Sequence, residues 1–500
     1  MPEHQPAQRN WIRRILRRGL VAAAVLFALL LGFAAWDALR GPPLELWHTY
    51  VPKDLRAAEL DTLDWAAYLR AEDSLFASVR EHVTLRLKPE ARVPFNRYFE
   101  GSPVYPGRFA TDWNRSYVLE PVGQPVGAVV LLHGLTDSPY SLRFIGQHYR
   151  DRGFLVLAIR LPGHGTVPSG LSHVKWQDWL AATRMAVREA RRRVPAPLPL
   201  QLVGFSNGGA LAMKYSLDAL GDPHLARADR IVLIGPMIGI TAMARFAGIA
   251  GWPSILPPFA KAAWLSITPE FNPFKYNSFP VNGAVQSHLL TRVLQRRFTE
   301  YAASGRLDSL PPVLTFQSVV DFTVSTPAIV SMLYNQLPAN GSALVLFDIN
   351  RNVSFGPLIR PSAESALDRL LPPAPRRYRT SVITNAGPSQ ASMVDQDMPA
   401  GDTTAQVFPL ALSYPSSVFS LSHLALPFPV TDPMLGLEPD LSEDYGIRLG
   451  TLGLRGEVGV LVLNAESTMR LTSNPFFPYL LQRVDNWIDA SGVAATARPH

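Results

Sequence analysis

Three textures of apolar and polar residues follow one another along this chain. The first is Gly19 to Trp36 (GLVAAAVLFALLLGFAAW), a run without a charge. At a helical rise of 1.5 Å per residue it spans about 27 Å, close to the hydrocarbon thickness of a bilayer. The second, Asp54 to Leu87, places Leu60, Leu63, Leu75, Val79 and Val83 near helical spacing. It predicts one or two helices, with Asp54 as an N-cap. The third begins near residue 115, where short apolar runs alternate with helical patterns. That alternation predicts a mostly parallel sheet covered on both faces.

The runs are Ala128–Leu132, Phe154–Ile159, Leu200–Val203, Ile231–Ile234, Val313–Phe316 and Ala343–Phe347. Helices are predicted at Leu142–Arg150, Trp176–Arg193, Gly208–Leu220, Pro327–Gln336 and Pro478–Ala490. Two stretches break the alternation. Residues 237–305 are rich in Phe, Trp, Pro and Ile and read as a helical lid. Its Phe246, Ile249, Trp252, Ile255, Leu256, Phe259 and Trp264 either line an apolar pocket or pack the lid on the body. Residues 350–417 read as an inserted subdomain with strands at Ser381–Thr384 and Gln406–Leu412, since a structureless loop that long is rare in a compact domain.

Charge sharpens the reading of the first texture. The chain has 47 Lys and Arg against 40 Asp and Glu, a net +7 over 500 residues. Arg9, Arg13, Arg14, Arg17 and Arg18 against Glu3 give residues 1–18 a net +4, which leaves +3 for the rest. No basic stripe interleaved with aromatics remains, so a nucleic-acid partner is not expected. Arginines ahead of an apolar span predict a cytoplasmic N-terminus, a single-pass inner-membrane anchor and a catalytic domain on the periplasmic, extracytoplasmic side. A cleaved signal peptide is the alternative, with Gly32-Phe33-Ala34 as a small-x-small site. The hydrophobic fraction of 47% fits a globular protein. With no cysteine in the chain, disulfides, thiolate metal sites and a cysteine nucleophile are excluded. No H-E-x-x-H spacing or dinucleotide fingerprint occurs, so neither metal nor cofactor is expected.

The chemistry concentrates at Gly204-Phe205-Ser206-Asn207-Gly208. A serine hydroxyl is a poor nucleophile unless a sharp strand-to-helix turn holds it exposed beside a base. An apolar strand precedes this pentapeptide and a helix-compatible GALAMKYSL follows it. His133-Gly134-Leu135-Thr136 ends the strand AVVLL, where a loop can aim backbone N–H groups at a developing oxyanion. The amides of Leu135 and Asn207 are the expected donors, with His133 positioning the loop. On such a scaffold the acid and then the histidine follow the serine. Downstream lie His224, His288, His423 and His500. His224 sits in a polar connection, His288 in the lid and His500 at the terminus, which leaves His423 as base. Asp321, at the end of the fifth run, is the expected acid, with Asp348 as the fallback and an N-cap role as its plainer reading.

These residues carry a resemblance. The LLHGLTDSP loop, Arg160-Leu161-Pro162-Gly163-His164-Gly165-Thr166, Trp176-x-Asp178-Trp179, GFSNGG and the aspartate after VLTFQSVV are similar to those of α/β-hydrolases. The similarity is to the monoacylglycerol-lipase-like, carboxylesterase-type serine hydrolases. It implies an α/β-hydrolase fold over residues 115–490, with a structural role for His164. One departure stands out: the histidine loop of such families follows the last core strand closely, whereas residues 350–417 intervene here. The expected organisation is a basic tail (1–18), a transmembrane helix (19–36), a helical region (37–114), the hydrolase domain and a tail (491–500). The expected activity is cleavage of small-molecule or lipid-like carboxylic esters at a membrane through a Ser206-His423-Asp321 acyl-enzyme. Acyl transfer, amide cleavage and a non-catalytic tethered binding module are the alternatives.

Overall fold

The computed structural model describes residues 7–40, 42–239, 257–352, 356, 358–450 and 472–490. The chain opens with helix α1 (Ala7–Arg40). Its stretch Arg14–Phe33 is long and apolar enough to cross a membrane and is not buried against the rest of the chain. Proline at 42 and 43 stops the helix, since the ring removes an N–H donor and disfavours a helical residue before it.

The body is one ten-stranded sheet. Its strands are β1 (Tyr117–Leu119), β2 (Gly127–Leu132), β3 (Phe154–Ile159), β4 (Leu200–Phe205) and β5 (Arg230–Ile234). A separate hairpin, β6 (Trp264–Ser266) with β7 (Phe279–Pro280), follows. The sheet resumes with β8 (Val313–Ser318), β9 (Ala343–Phe347), β10 (Arg379–Asn385), β11 (Ser392–Met398) and β12 (Gln406–Ser413). Strand order is β1-β3-β2-β4-β5-β8-β9-β10-β11-β12. The seven strands from β3 to β10 are parallel, with β1, β11 and β12 antiparallel at the edges. This is the mostly parallel sheet expected from the alternating runs, in the α/β-hydrolase arrangement that the resemblance implied.

Strand β2 shows why the sheet needs cover on both sides. Ala128, Val130 and Leu132 point into one apolar core, and Val129 and Leu131 into another. Helices α2 (Trp65–His82), α4 (Trp176–Arg193), α5 (Asn207–Gly221) and α6 (Val281–Ala303) contribute to the first core. Helices α3 (Arg143–Asp151) and α7 (Phe477–Asp489) contribute to the second.

Three details differ from the sequence-based expectation. Residues 326–336 form no single helix but a turn of α-helix, a turn of π-helix and a turn of 3-10 helix. The Tyr334 hydroxyl, bonded to the carbonyls of Val313 and Ala343, holds this segment onto the sheet. Strands β10–β12 extend the main sheet, β10 pairing in parallel with β9. Asp54 caps no helix. It receives the buried Arg160 guanidinium at 2.8 and 3.0 Å and the Gly163 amide at 2.8 Å, while Asp64 caps α2. Glu72 binds Arg160 Nε at 3.0 Å. Two carboxylates from the region before the sheet thus lock onto the Arg160–Gly165 turn. Removing Arg160 would strand both buried carboxylates, at a cost of about 3–5 kcal/mol.

Candidate active site

Ser206 sits at the C-terminal end of β4, at the start of α5, with φ 52° and ψ −115°. Few non-glycine residues hold such a backbone, and strain of this kind is tolerated where surrounding structure fixes it. Here the Ser206 amide donates to the Ile234 carbonyl at 3.0 Å, and its carbonyl accepts from Gly209 and Met237. The glycines are required by contact: a Cβ on Gly208 would collide with the Leu132 carbonyl. The turn can therefore pass beneath the end of β2 only without a side chain there.

His423 lies in the 3-10 turn His423–Ala425, beyond β12. Its Nδ1 is 2.8 Å from Asp321 Oδ2, and both side chains are buried. Asp321 follows β8 and also accepts from Gln317 Nε2 and from the amides of Thr323 and Val324. Those amides fix the carboxylate, but Asp321 is not the N-cap of the helical turn at Pro327: Ser325 holds that place, its hydroxyl accepting the Ala328 amide at 3.2 Å. Asp348 is elsewhere engaged, bound by Arg351 at 2.6 Å and by the Thr384 hydroxyl at 2.9 Å.

Ser206 and His423 line one cavity of about 420 Å³, together with Leu135. Asn207 stands beside it as the first residue of α5. The amides of Leu135 and Asn207 have no acceptor among the described residues, which leaves both donors free. Thr136, at φ 63°, bends the loop that presents Leu135. His133 holds that loop from behind: Nε2 accepts the Leu161 amide at 3.0 Å and Nδ1 stands 2.9 Å from the Gly134 carbonyl. Burial pushes His133 well below its ordinary pKa and His164 down to about 4. Both are neutral, structural imidazoles, their rings meeting edge-on at 5.0 Å. Asp178 receives the Ala57 and Lys175 amides and the Arg56 guanidinium, fastening the region before the sheet.

Residues 123–325 match the protein family described as "Serine aminopeptidase, S33". A thermostable monoacylglycerol lipase of Bacillus sp. (strain H-257) is 27% identical over 202 residues, covering 40% of this chain and 72% of that protein. Phospholipase YtpA of Bacillus subtilis (strain 168) is 25% identical over 118 residues, covering 23% of this chain and 43% of its own length. Among solved structures, one from a study of the metagenome-derived lipolytic enzymes LipS and LipT is 23% identical, covers 47% of this chain and 88% of that one, and has a TM-score of 0.38. The chain has the α/β-hydrolase fold and is similar to lipases and esterases.

Several residues of this α/β-hydrolase site escaped sequence reasoning. A Cβ on Gly235 would stand 2.8 Å from His423 Cε1, so this strand-end glycine makes room for the imidazole. Phe205 stacks on the same ring at 5.2 Å. Inside the cavity Lys275 Nζ meets Asp137 Oδ1 at 3.1 Å. Burial raises the Asp137 pKa and the Lys275 ammonium opposes that shift. An unbalanced carboxylate so close to the serine would oppose a developing oxyanion, and Lys275 offsets it. Asp137 lies within the quoted LLHGLTDSP loop, but nothing local announces its partner 138 residues away.

Part of the cavity wall comes from Tyr276, Phe279, Ala284 and Ser287, on β7, α6 and the segment before them. Of the apolar residues expected to line a lid pocket, Phe246, Ile249, Trp252, Ile255 and Leu256 lie outside the described residues, as does the Phe259 side chain. Trp264 packs edge-on against His48 at 4.8 Å and not on the cavity. Among the described residues no group of His, Cys, Asp or Glu is placed to hold a metal ion.

Proposed function

We propose that this α/β-hydrolase is a membrane-anchored serine esterase that cleaves acyl esters through Ser206, His423 and Asp321. The observation that carries the reading is the 2.8 Å contact between His423 and Asp321, made across 102 residues at the cavity that Ser206 lines. In this scheme His423 takes the Ser206 proton as Oγ attacks the ester carbonyl. Asp321 holds the imidazole tautomer and stabilises the imidazolium. The free amides of Leu135 and Asn207 receive the oxyanion. His423 returns the proton to the leaving alcohol, and water then releases the acyl-enzyme by the same route.

A cavity with Leu135, Phe205, Met237 and Phe279 among its walls suits an acyl chain, and the monoacylglycerol lipase relative supports a lipid-like ester. The serine aminopeptidase description favours testing amides beside esters. Residues 237–305 act as the lid in this reading. Helix α1 serves as the retained anchor, its arginines cytoplasmic and the hydrolase domain on the other side. Purified full-length chain is expected to hydrolyse monoacylglycerol and short-chain aryl esters. Ser206→Ala should lower kcat by about 10⁴–10⁶-fold with an unchanged circular dichroism spectrum. Turnover retained in that variant removes the nucleophile assignment. Faster cleavage of aminoacyl amides than of esters moves the reading to a peptidase.

A further inference from the structure

Residues 85–95 (LRLKPEARVPF) form a surface that the proposed esterase chemistry does not use. Leu85, Val93 and Phe95 are exposed, Phe95 by 57%. Interleaved with them stand exposed Arg86, Lys88 and Arg92 against Glu90, a local balance of +2. None of the three cations has a carboxylate partner among the described residues; Arg92 Nε donates to the Leu87 carbonyl. Exposed apolar side chains are unremarkable singly, but an apolar and basic mixture on one loop is the composition that settles at a lipid headgroup boundary.

Position makes the case specific. Val93 and Phe95 share a cavity of about 250 Å³ with Pro42 and Pro43, which come two and three residues after the end of α1. Ile267 lines the same cavity, and two residues earlier Leu265 is exposed by 46%. The 3-10 turn Pro257–Ala263, just ahead of β6, lies alongside α1. Apolar surface therefore collects where the apolar helix meets the domain.

The same surface reaches the candidate active site. Leu265 lies on β6, whose Ser266 pairs with Phe279 on β7, and Phe279 lines the cavity of Ser206. The Arg97 guanidinium, two residues past Phe95, donates to the carbonyls of Asn272 and Lys275, and Lys275 lines that cavity too. A surface resting on lipid at Phe95 and Leu265 would set one wall of the reactive cavity against the bilayer.

We propose that residues 85–95 and Leu265 form a second membrane contact beside the anchor, docking on anionic phospholipid headgroups and turning the Ser206 cavity toward the lipid. The inference rests on the anchoring reading of α1 and goes beyond it, since an anchoring helix alone does not fix which face of the domain meets the lipid.

The absence of cysteine makes the test clean. Single variants Phe95→Cys, Leu265→Cys, Leu26→Cys and Val122→Cys in the full-length chain would carry an environment-sensitive fluorophore. Each is reconstituted into phosphatidylcholine vesicles with and without phosphatidylglycerol, with doxyl-lipid quenchers. Val122 is fully exposed, in the connection between β1 and β2 at the far end of the sheet. Turnover of a soluble aryl ester confirms that each variant is folded. Quenching at Leu26, Phe95 and Leu265 but not at Val122, stronger with phosphatidylglycerol at Phe95, is the expected result. Quenching at Leu26 while Phe95 and Leu265 behave like Val122 overturns the docking surface alone. No quenching at Leu26 overturns the anchoring reading and the docking surface with it. Val93→Ser combined with Phe95→Ser should slow hydrolysis of a vesicle-embedded monoester about fivefold or more and leave the soluble ester unaffected. Equal rates on the vesicle substrate would contradict the proposal.

Discussion

The centre of the sheet and its C-terminal edge use different chemistry to build the same secondary structure. Strands β2, β4 and β8 are buried along their whole length and, apart from Gln201, Thr315, Gln317 and Ser318, are written in apolar residues and glycine. Strand β11 alternates between exposed and buried positions, and β12 is largely exposed. The polar residues that β11 buries are satisfied in pairs. Asp397 is gripped by Nε and Nη2 of Arg379 at 2.6 and 2.7 Å, and Asp395 receives the Tyr479 hydroxyl at 2.6 Å. The centre derives its position from burial. The edge derives its position from partners distant in sequence. Ser206 and Asp321 stand on the first kind of strand end, whereas His423 arrives only after the second kind has been laid down.

The sharpest way to break this contrast is to exchange the two acids. Asp321→Asn should lower kcat by about 10⁴-fold through loss of the imidazole tautomer. Asp348→Asn, one strand further toward the edge, should leave turnover near wild type, because Asp348 serves Arg351 and Thr384. Equal losses in ester hydrolysis assays would erase the distinction. Leu202→Ala at the buried centre should cost about 3 kcal/mol in urea unfolding, and Phe408→Ala on exposed β12 less than about 0.5 kcal/mol. Similar costs at both sites would show that the edge carries as much packing as the centre.

A pH series sharpens the picture from the buried histidine that packs on His133. His164 is held neutral by burial, with its pKa lowered from 6.5 to about 4. The unfolded chain binds this proton below pH 6.5 while the folded chain does not bind it until near pH 4. Stability contributed by the neutral imidazole is therefore full above pH 6.5 and falls as the pH drops toward 4. The lowered value corresponds to about 3 kcal/mol. A His164→Gln variant should show a shallower stability loss over that window. An unchanged slope would mean that His164 titrates normally.

The same contrast explains what could be read from the sequence. The six apolar runs became β2, β3, β4, β5, β8 and β9, each within two residues of the expected ends. Gly204, Ser206 and Gly208 were legible because a sharp turn leaves a short signature. The interior of α1 was legible as an uncharged run, although the helix extends well beyond it on both sides. Strand β11 was not legible, since Asp395, Gln396 and Asp397 hide the apolar period and their partners lie on β10 and α7. His423 was reached by elimination among histidines. What seats it (the space above Gly235, the face of Phe205 and the carboxylate of Asp321) is assembled by tertiary pairing and has no local code. The Asp137–Lys275 pair was hidden for the same reason.

The central claim is that Ser206 is a nucleophile activated by His423. Labelling of the full-length chain with a fluorophosphonate probe, mapped by peptide mass spectrometry, tests it most directly. The account predicts a single adduct on Ser206 in the wild type, none in Ser206→Ala, and labelling slowed by orders of magnitude in His423→Ala. Undiminished labelling of Ser206→Ala, or a His423→Ala variant that labels at the wild-type rate, would contradict it.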